Sequence, residues 1–83
     1  MIINIKDILR LNDNNQYVVV SKANYENKIY YYIVDNNDPK NLKFCYEDGN
    51  ELVEIEDKNL ITKLLPIFYE AVKDELDNLL ENN

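Results

Sequence analysis

A chain of 83 residues, 46% of them hydrophobic, has room for one packed core, and its formal net charge of −7 opposes binding to phosphate backbones and anionic membranes. Histidine is absent and Gly49 is the single glycine, which removes the commonest general base and zinc ligand together with every phosphate-cradling glycine loop. Cys45 has no second cysteine to pair with, so no disulfide supplements so small a core.

The opening stretch MIINIKDILRL carries Lys6, Asp7 and Arg10 where a signal peptide needs an unbroken apolar run. No segment reaches the roughly 18 apolar residues of a membrane span, and the chain reads as soluble and cytoplasmic. Five short extended segments are expected in order: 7–12 (DILRLN), 16–24 (QYVVVSKAN), 28–35 (KIYYYIVD), 41–47 (NLKFCYE) and 51–56 (ELVEIE). Val, Ile, Tyr and Phe dominate all but the first, as half-buried pleated surfaces favour. Asn12-Asp13-Asn14-Asn15 and Asp35-Asn36-Asn37-Asp38-Pro39 read as loops, because Asn and Asp tolerate turn geometry and bond their own backbone. Asp48-Gly49-Asn50, between two alternating runs, is the strongest hairpin signal. Connections this short require antiparallel neighbours.

From Asp57, a suitable N-cap, the period changes. Leu60, Ile61, Leu64, Leu65, Phe68, Val72, Leu76, Leu79 and Leu80 form one helical stripe. Pro66 either kinks a single helix or opens a second one after a short helix over 58–64, and the second arrangement is preferred. The expected fold is α+β in a single domain, 1–83. A five-stranded antiparallel meander over 1–56 curls into a small SH3-like barrel, closed by a C-terminal helical segment over 57–81.

An even-numbered loop at Glu26-Asn27 sorts the central strands by face. Val18, Val20, Ile29, Tyr31 and Ile33 fall on one side, with Lys22 and Asn24 at the loop end. Tyr17, Val19, Ser21, Ala23, Tyr30, Tyr32 and Val34 fall on the other. The first face is aliphatic core. The second is amphipathic: its tyrosines either lie beneath the helix with their hydroxyls at its margin, or form an exposed patch that docks a partner. A base-stacking platform would need a basic track, and only Lys22, Lys28 and Lys40 lie nearby. On the last two strands Leu42, Phe44, Tyr46, Val53 and Ile55 are expected in the core, with Lys43, Cys45, Glu47, Leu52, Glu54 and Glu56 on the solvent side.

Catalytic chemistry finds little to work with. Glu47 and Glu54 beside Cys45 would raise its thiol pKa and not activate it. The Asp35–Asp38 loop fails the calcium-loop pattern, with Pro39 and Lys40 at the fifth and sixth positions and Tyr46 at the twelfth. No enzyme, cofactor or metal is expected.

The acidity is lopsided. Residues 1–46 hold six Lys/Arg against five Asp/Glu, whereas residues 47–83 hold three against eleven. Between Lys43 and Lys58 come Glu47, Asp48, Glu51, Glu54, Glu56 and Asp57 with no base among them. Such a run is either a solvated face or a surface complementary to a basic partner. The candidate partner-binding residues are therefore Tyr17, Tyr30, Tyr32, Glu47, Asp48, Glu51, Glu54 and Glu56. The expected function is a non-enzymatic protein–protein interaction or regulatory module acting through the Tyr17/Tyr30/Tyr32 face, the acidic hairpin, or both, the hairpin suiting a basic partner. The alternative is a phage-type defence antagonist that mimics nucleic acid and inhibits a basic DNA- or RNA-binding protein. The chain is expected as a monomer, or as a weak homodimer through an edge strand or the leucine stripe.

Taken in order, Val18-Val19-Val20, Tyr25-Glu26-Asn27-Lys28-x-Tyr30, Phe44-x-Tyr46 and Glu51-Leu52-Val53-x-Ile55-Glu56-Asp57, followed by a Leu-rich helix, resemble the YrzB-like small acidic bacterial proteins over residues 16–70. The resemblance implies a cytoplasmic protein with no catalytic residues to carry over.

Overall fold

Glu26 (φ 49°) and Asn27 (φ 67°) both take left-handed angles, the pairing that a two-residue hairpin turn with native twist requires. They join β2 (Gln16–Tyr25) to β3 (Lys28–Asp35) in the computed structural model, which describes residues 2–81, with side chains to Lys73. Gly49, at φ 63°, opens the turn between β4 (Leu42–Asp48) and β5 (Glu51–Glu54), where a Cβ would be strained by the backbone angle alone. A short β1 (Ile8–Arg10) precedes them and α1 (Lys58–Glu81) follows. The sheet order is β1-β2-β3-β4-β5 with every neighbour antiparallel, so the chain is an α+β fold with a five-stranded meander.

The Glu26-Asn27 turn pairs Asn24 with Ile29 and Lys22 with Tyr31, as the even loop requires. Beyond Ser21 the expected sorting fails. Ser21 pairs with Tyr32 but Val19 pairs with Ile33, leaving Val20 as an extra residue in a β-bulge. One added residue reverses the alternation of everything before it. Tyr17 and Val19 therefore join Tyr31 and Ile33, not Tyr30 and Tyr32.

Both faces of the sheet are apolar. The inner face gathers Tyr17, Val19, Tyr31, Ile33 and Cys45 beneath Ile3, with Leu9 and Leu52 packed against them. On a flat sheet, β1 and β5 would stand four strand spacings apart, about 19 Å. That Leu9 and Leu52 meet one cluster shows the sheet curling into a half-barrel. The segment before β1 folds over this inner face, where the Lys22 Nζ donates to the Ile3 carbonyl at 3.0 Å. Cys45, expected on a solvent side, is 2% exposed because this cover makes its face a second core.

The outer face carries the helix. Asp57 caps it, its Oδ1 accepting from the Asn59 and Leu60 amides at 2.9 and 3.4 Å. Leu64 and Phe68 are buried against Ala23, Tyr30, Phe44 and Ile55. The Ser21 hydroxyl, also buried, donates to the Phe68 carbonyl at 3.0 Å. The preferred break at Pro66 does not occur: α1 runs through it. Thr62 and Pro66 both lie on the exposed side, so water can meet the Thr62 carbonyl that proline leaves without a donor. The Thr62 hydroxyl bonds back to the Lys58 carbonyl at 2.8 Å. The side chains of Leu76, Leu79 and Leu80 in the expected stripe lie outside the described residues. The helix covers the outer face and does not span the gap between β1 and β5, where no helical residue among those described lines the opening.

Candidate functional site

The tyrosines expected to bind a partner are largely consumed by packing. Tyr17 is 0% exposed. Its hydroxyl donates to Asp13 Oδ2 at 2.6 Å and accepts from Asn41 Nδ2 at 3.2 Å. Asn41 also donates to the buried Asp35 at 3.1 Å, so one phenol ties the two Asn/Asp-rich loops together. Burial, and then the Asp13 bond, push the Tyr17 phenol up, while that same hydroxyl holds the Asp13 carboxyl below its usual range. Tyr30 is buried between Tyr25 and Tyr46, at ring separations of 6.3 and 6.2 Å. Tyr32 is half-buried against Phe44 and Phe68. Of the three, Tyr32 alone keeps an accessible flank.

The acids divide in a similar way. Glu47 is half-buried and accepts from the Tyr31 hydroxyl at 2.5 Å. Glu54 is paired with Lys43 at 2.5 Å across the β4–β5 hairpin. Asp48, Glu51 and Glu56 are exposed, and Asp48 stands directly opposite Glu51 at the hairpin tip. The eight candidates do not form one surface.

What the curl creates instead is a groove of about 850 Å³ between the two ends of the sheet. Residues 8–13 form one wall, and the hairpin, with Asn50, Glu51, Leu52 and Glu54, forms the other. Ile3, Leu9, Cys45 and Leu52 supply an apolar floor, and Arg10, Asp13, Lys43, Glu51 and Glu54 a charged rim. Hydrogen bonding in an antiparallel ladder alternates, which fixes where each edge points. The Val19 amide donates to the Asp7 carbonyl (2.9 Å) and the Leu11 amide to the Asn15 carbonyl (3.1 Å). Odd residues of the first strand thus turn to β2, and the main-chain groups of Ile8 and Arg10 face away from it. The Ile55 amide donates to the Phe44 carbonyl at 2.7 Å, so the main-chain groups of Leu52 and Glu54 likewise face away from β4.

Sequence reasoning placed Leu52 and Cys45 on a solvent face and took no account of Leu9 as a site residue. The signal available was strand number: an odd meander leaves its two ends pointing the same way, unable to pair antiparallel. A second recess of about 420 Å³ lies at the helix margin, lined by Val20, Tyr32, Leu65, Phe68, Tyr69 and Val72. Leu65 and Tyr69 are 45% and 67% exposed there.

Cys45, on the groove floor, has its thiol pushed up to about 11, first by burial and then by the Glu54 charge. Its folded value lies above the unfolded one of about 8.5. The stability it contributes is therefore complete below that unfolded value and is lost as pH climbs through about 11. Burial and the Glu47 bond push the Tyr31 phenol in the same direction. Urea midpoints are expected to fall from about pH 9 upward. A Cys45→Ala chain is expected to fall less steeply between pH 9 and 11, and parallel curves for the two chains would refute the assignment.

Among the described residues no group of three or more His, Cys, Asp or Glu is placed to hold a metal ion, and no helix is long and apolar enough to cross a membrane. No protein-family model, curated protein or solved structure matches the chain.

Proposed function

We propose that this chain is a non-enzymatic protein-binding module of the cytoplasm, a small SH3-like barrel with one seam left open, and that the open seam is its docking surface. The observation that carries this reading is the groove itself, an apolar floor between two strand edges with the acidic hairpin as one wall. Exposed Glu51 on that wall, with exposed Asp48 opposite it at the hairpin tip, in a chain of net charge −7, suits a partner that brings positive charge. The inward engagement of Glu47 and Glu54 supports contact at the groove over a continuous row of phosphate-like acids. A second copy is a poor occupant, because a pairing of β5 edges brings together two copies of the same acidic hairpin.

Hexalysine titrated into the labelled protein is expected to move the amide resonances of residues 8–13 and 50–54. Asp48→Lys combined with Glu51→Lys leaves the Lys43–Glu54 pair intact and should weaken this binding at least tenfold. Tyr69→Ser, in the other recess, should leave it unchanged. Shifts centred on Leu65 and Tyr69, or affinity indifferent to the charge reversal, would overturn the proposal.

A further inference from the structure

We infer that the groove takes its partner as a sixth strand: an extended segment of a basic protein, apolar and basic residues alternating, running antiparallel to both β1 and β5. This rests on the reading of the groove as the docking surface and adds the form in which the partner binds.

Strand parity comes first. Five strands that alternate in direction leave β1 and β5 pointing the same way. Direct closure would need a parallel pair, whereas one inserted strand can be antiparallel to both and complete an all-antiparallel barrel. The hydrogen bonds come second. Ile8 and Arg10 on one edge, Leu52 and Glu54 on the other, turn their main-chain groups away from the sheet and toward the missing position. Unpaired edges of this kind are templates for strand addition.

The lining points the same way. A wall built of side chains from one face of a strand would show alternate residues, yet Ile8, Leu9 and Arg10, the whole of β1, line the groove without a gap, and the loop over 11–13 continues the wall. Consecutive lining is what an exposed main-chain edge presents. Size agrees as well. A strand residue in a packed sheet fills about 160 Å³, from a rise of about 3.4 Å, a strand spacing of about 4.8 Å and a layer thickness of about 10 Å. A groove of about 850 Å³ therefore holds about five residues, close to the four of β5. Inward side chains of the added strand would meet Leu9, Leu52 and Cys45, which asks for apolar residues at alternate positions. Outward ones would pass Glu51, paired with Asp48 on the outer face of the hairpin, which asks for lysine or arginine there.

The test uses an end-capped heptapeptide of alternating lysine and valine, the same peptide N-methylated at its odd amides, the same peptide N-methylated at its even amides, and hexalysine. For the parent peptide, amide exchange at Ile8, Arg10, Leu52 and Glu54 is expected to slow at least tenfold. Each methylated form is expected to bind at least tenfold more weakly and to lose protection at one edge only, a different edge for each. Methylated peptides that bind like the parent would overturn strand addition while leaving the groove as the docking surface. Groove resonances that move with no peptide would overturn both. Protection of these four amides that rises with protein concentration alone would assign the seam to a second copy and refute the basic partner.

Discussion

Tyr17→Ala is expected to lower the unfolding free energy by about 3–5 kcal/mol, read from urea denaturation followed by circular dichroism. The ring is wholly buried among Val19, Ile33 and Cys45, so truncation opens a cavity that the strand ladders on either side cannot collapse into. The loss also strips the Asn41 amide of one of its partners and separates the two loops that the phenol joins. A domain of 83 residues holds about 4–12 kcal/mol in all, so this one substitution takes a large share of it. Tyr17→Phe keeps the ring and should cost only about 1 kcal/mol. If Tyr17→Ala unfolded within about 1 kcal/mol of the parent, the ring would be a surface feature and the bulge at Val20 would not set its face.

Phe68→Ala is expected to cost a comparable amount, about 3–5 kcal/mol, by a different route. Phe68 is the point at which the helix meets the sheet, stacked on Phe44 at 5.9 Å and edge-on to Tyr32 at 6.2 Å. Helical segments are marginal in water without an apolar face to bury, so weakening this contact should loosen the segment as well as its packing. Reduced helical signal at 222 nm before the main urea transition is the expected signature. An unchanged signal and midpoint would show that Leu64 and the Ser21 bond hold the helix without it.

Much of the fold could be read from local chemistry. Glu26-Asn27 and Asp48-Gly49-Asn50 are turns in which Asn27 and Gly49 accept left-handed angles, and they set the parity of the residues nearest them. The bulge could not be read, because Val18, Val19 and Val20 are alike and a uniform run hides an extra residue. Cys45 reads as solvent-facing for a related reason: alternation marks a core only when the opposite face is wet, and here both faces are covered. Pro66 reads as a break in sequence because its exposed position, which makes the missing bond tolerable, is a tertiary fact. The acidic residues were legible as a cluster in sequence, but not the internal engagement of Glu47 with Tyr31 and of Glu54 with Lys43.

The meander order has a kinetic consequence. Each strand pairs only with its neighbours in sequence, so the sheet can form with small loop closures, one hairpin after another. The bond from Ser21 to Phe68, by contrast, spans 47 residues. Docking of α1 needs β2, β3 and β4 already side by side to receive Leu64 and Phe68, and is thus expected to follow the rate-limiting barrier. In stopped-flow measurements, Phe68→Ala should accelerate unfolding and leave the folding rate nearly unchanged, whereas a change in the Glu26-Asn27 turn should slow folding itself. A slower folding limb for Phe68→Ala would reverse that order. On this account the helix is the last element to close and the first to open.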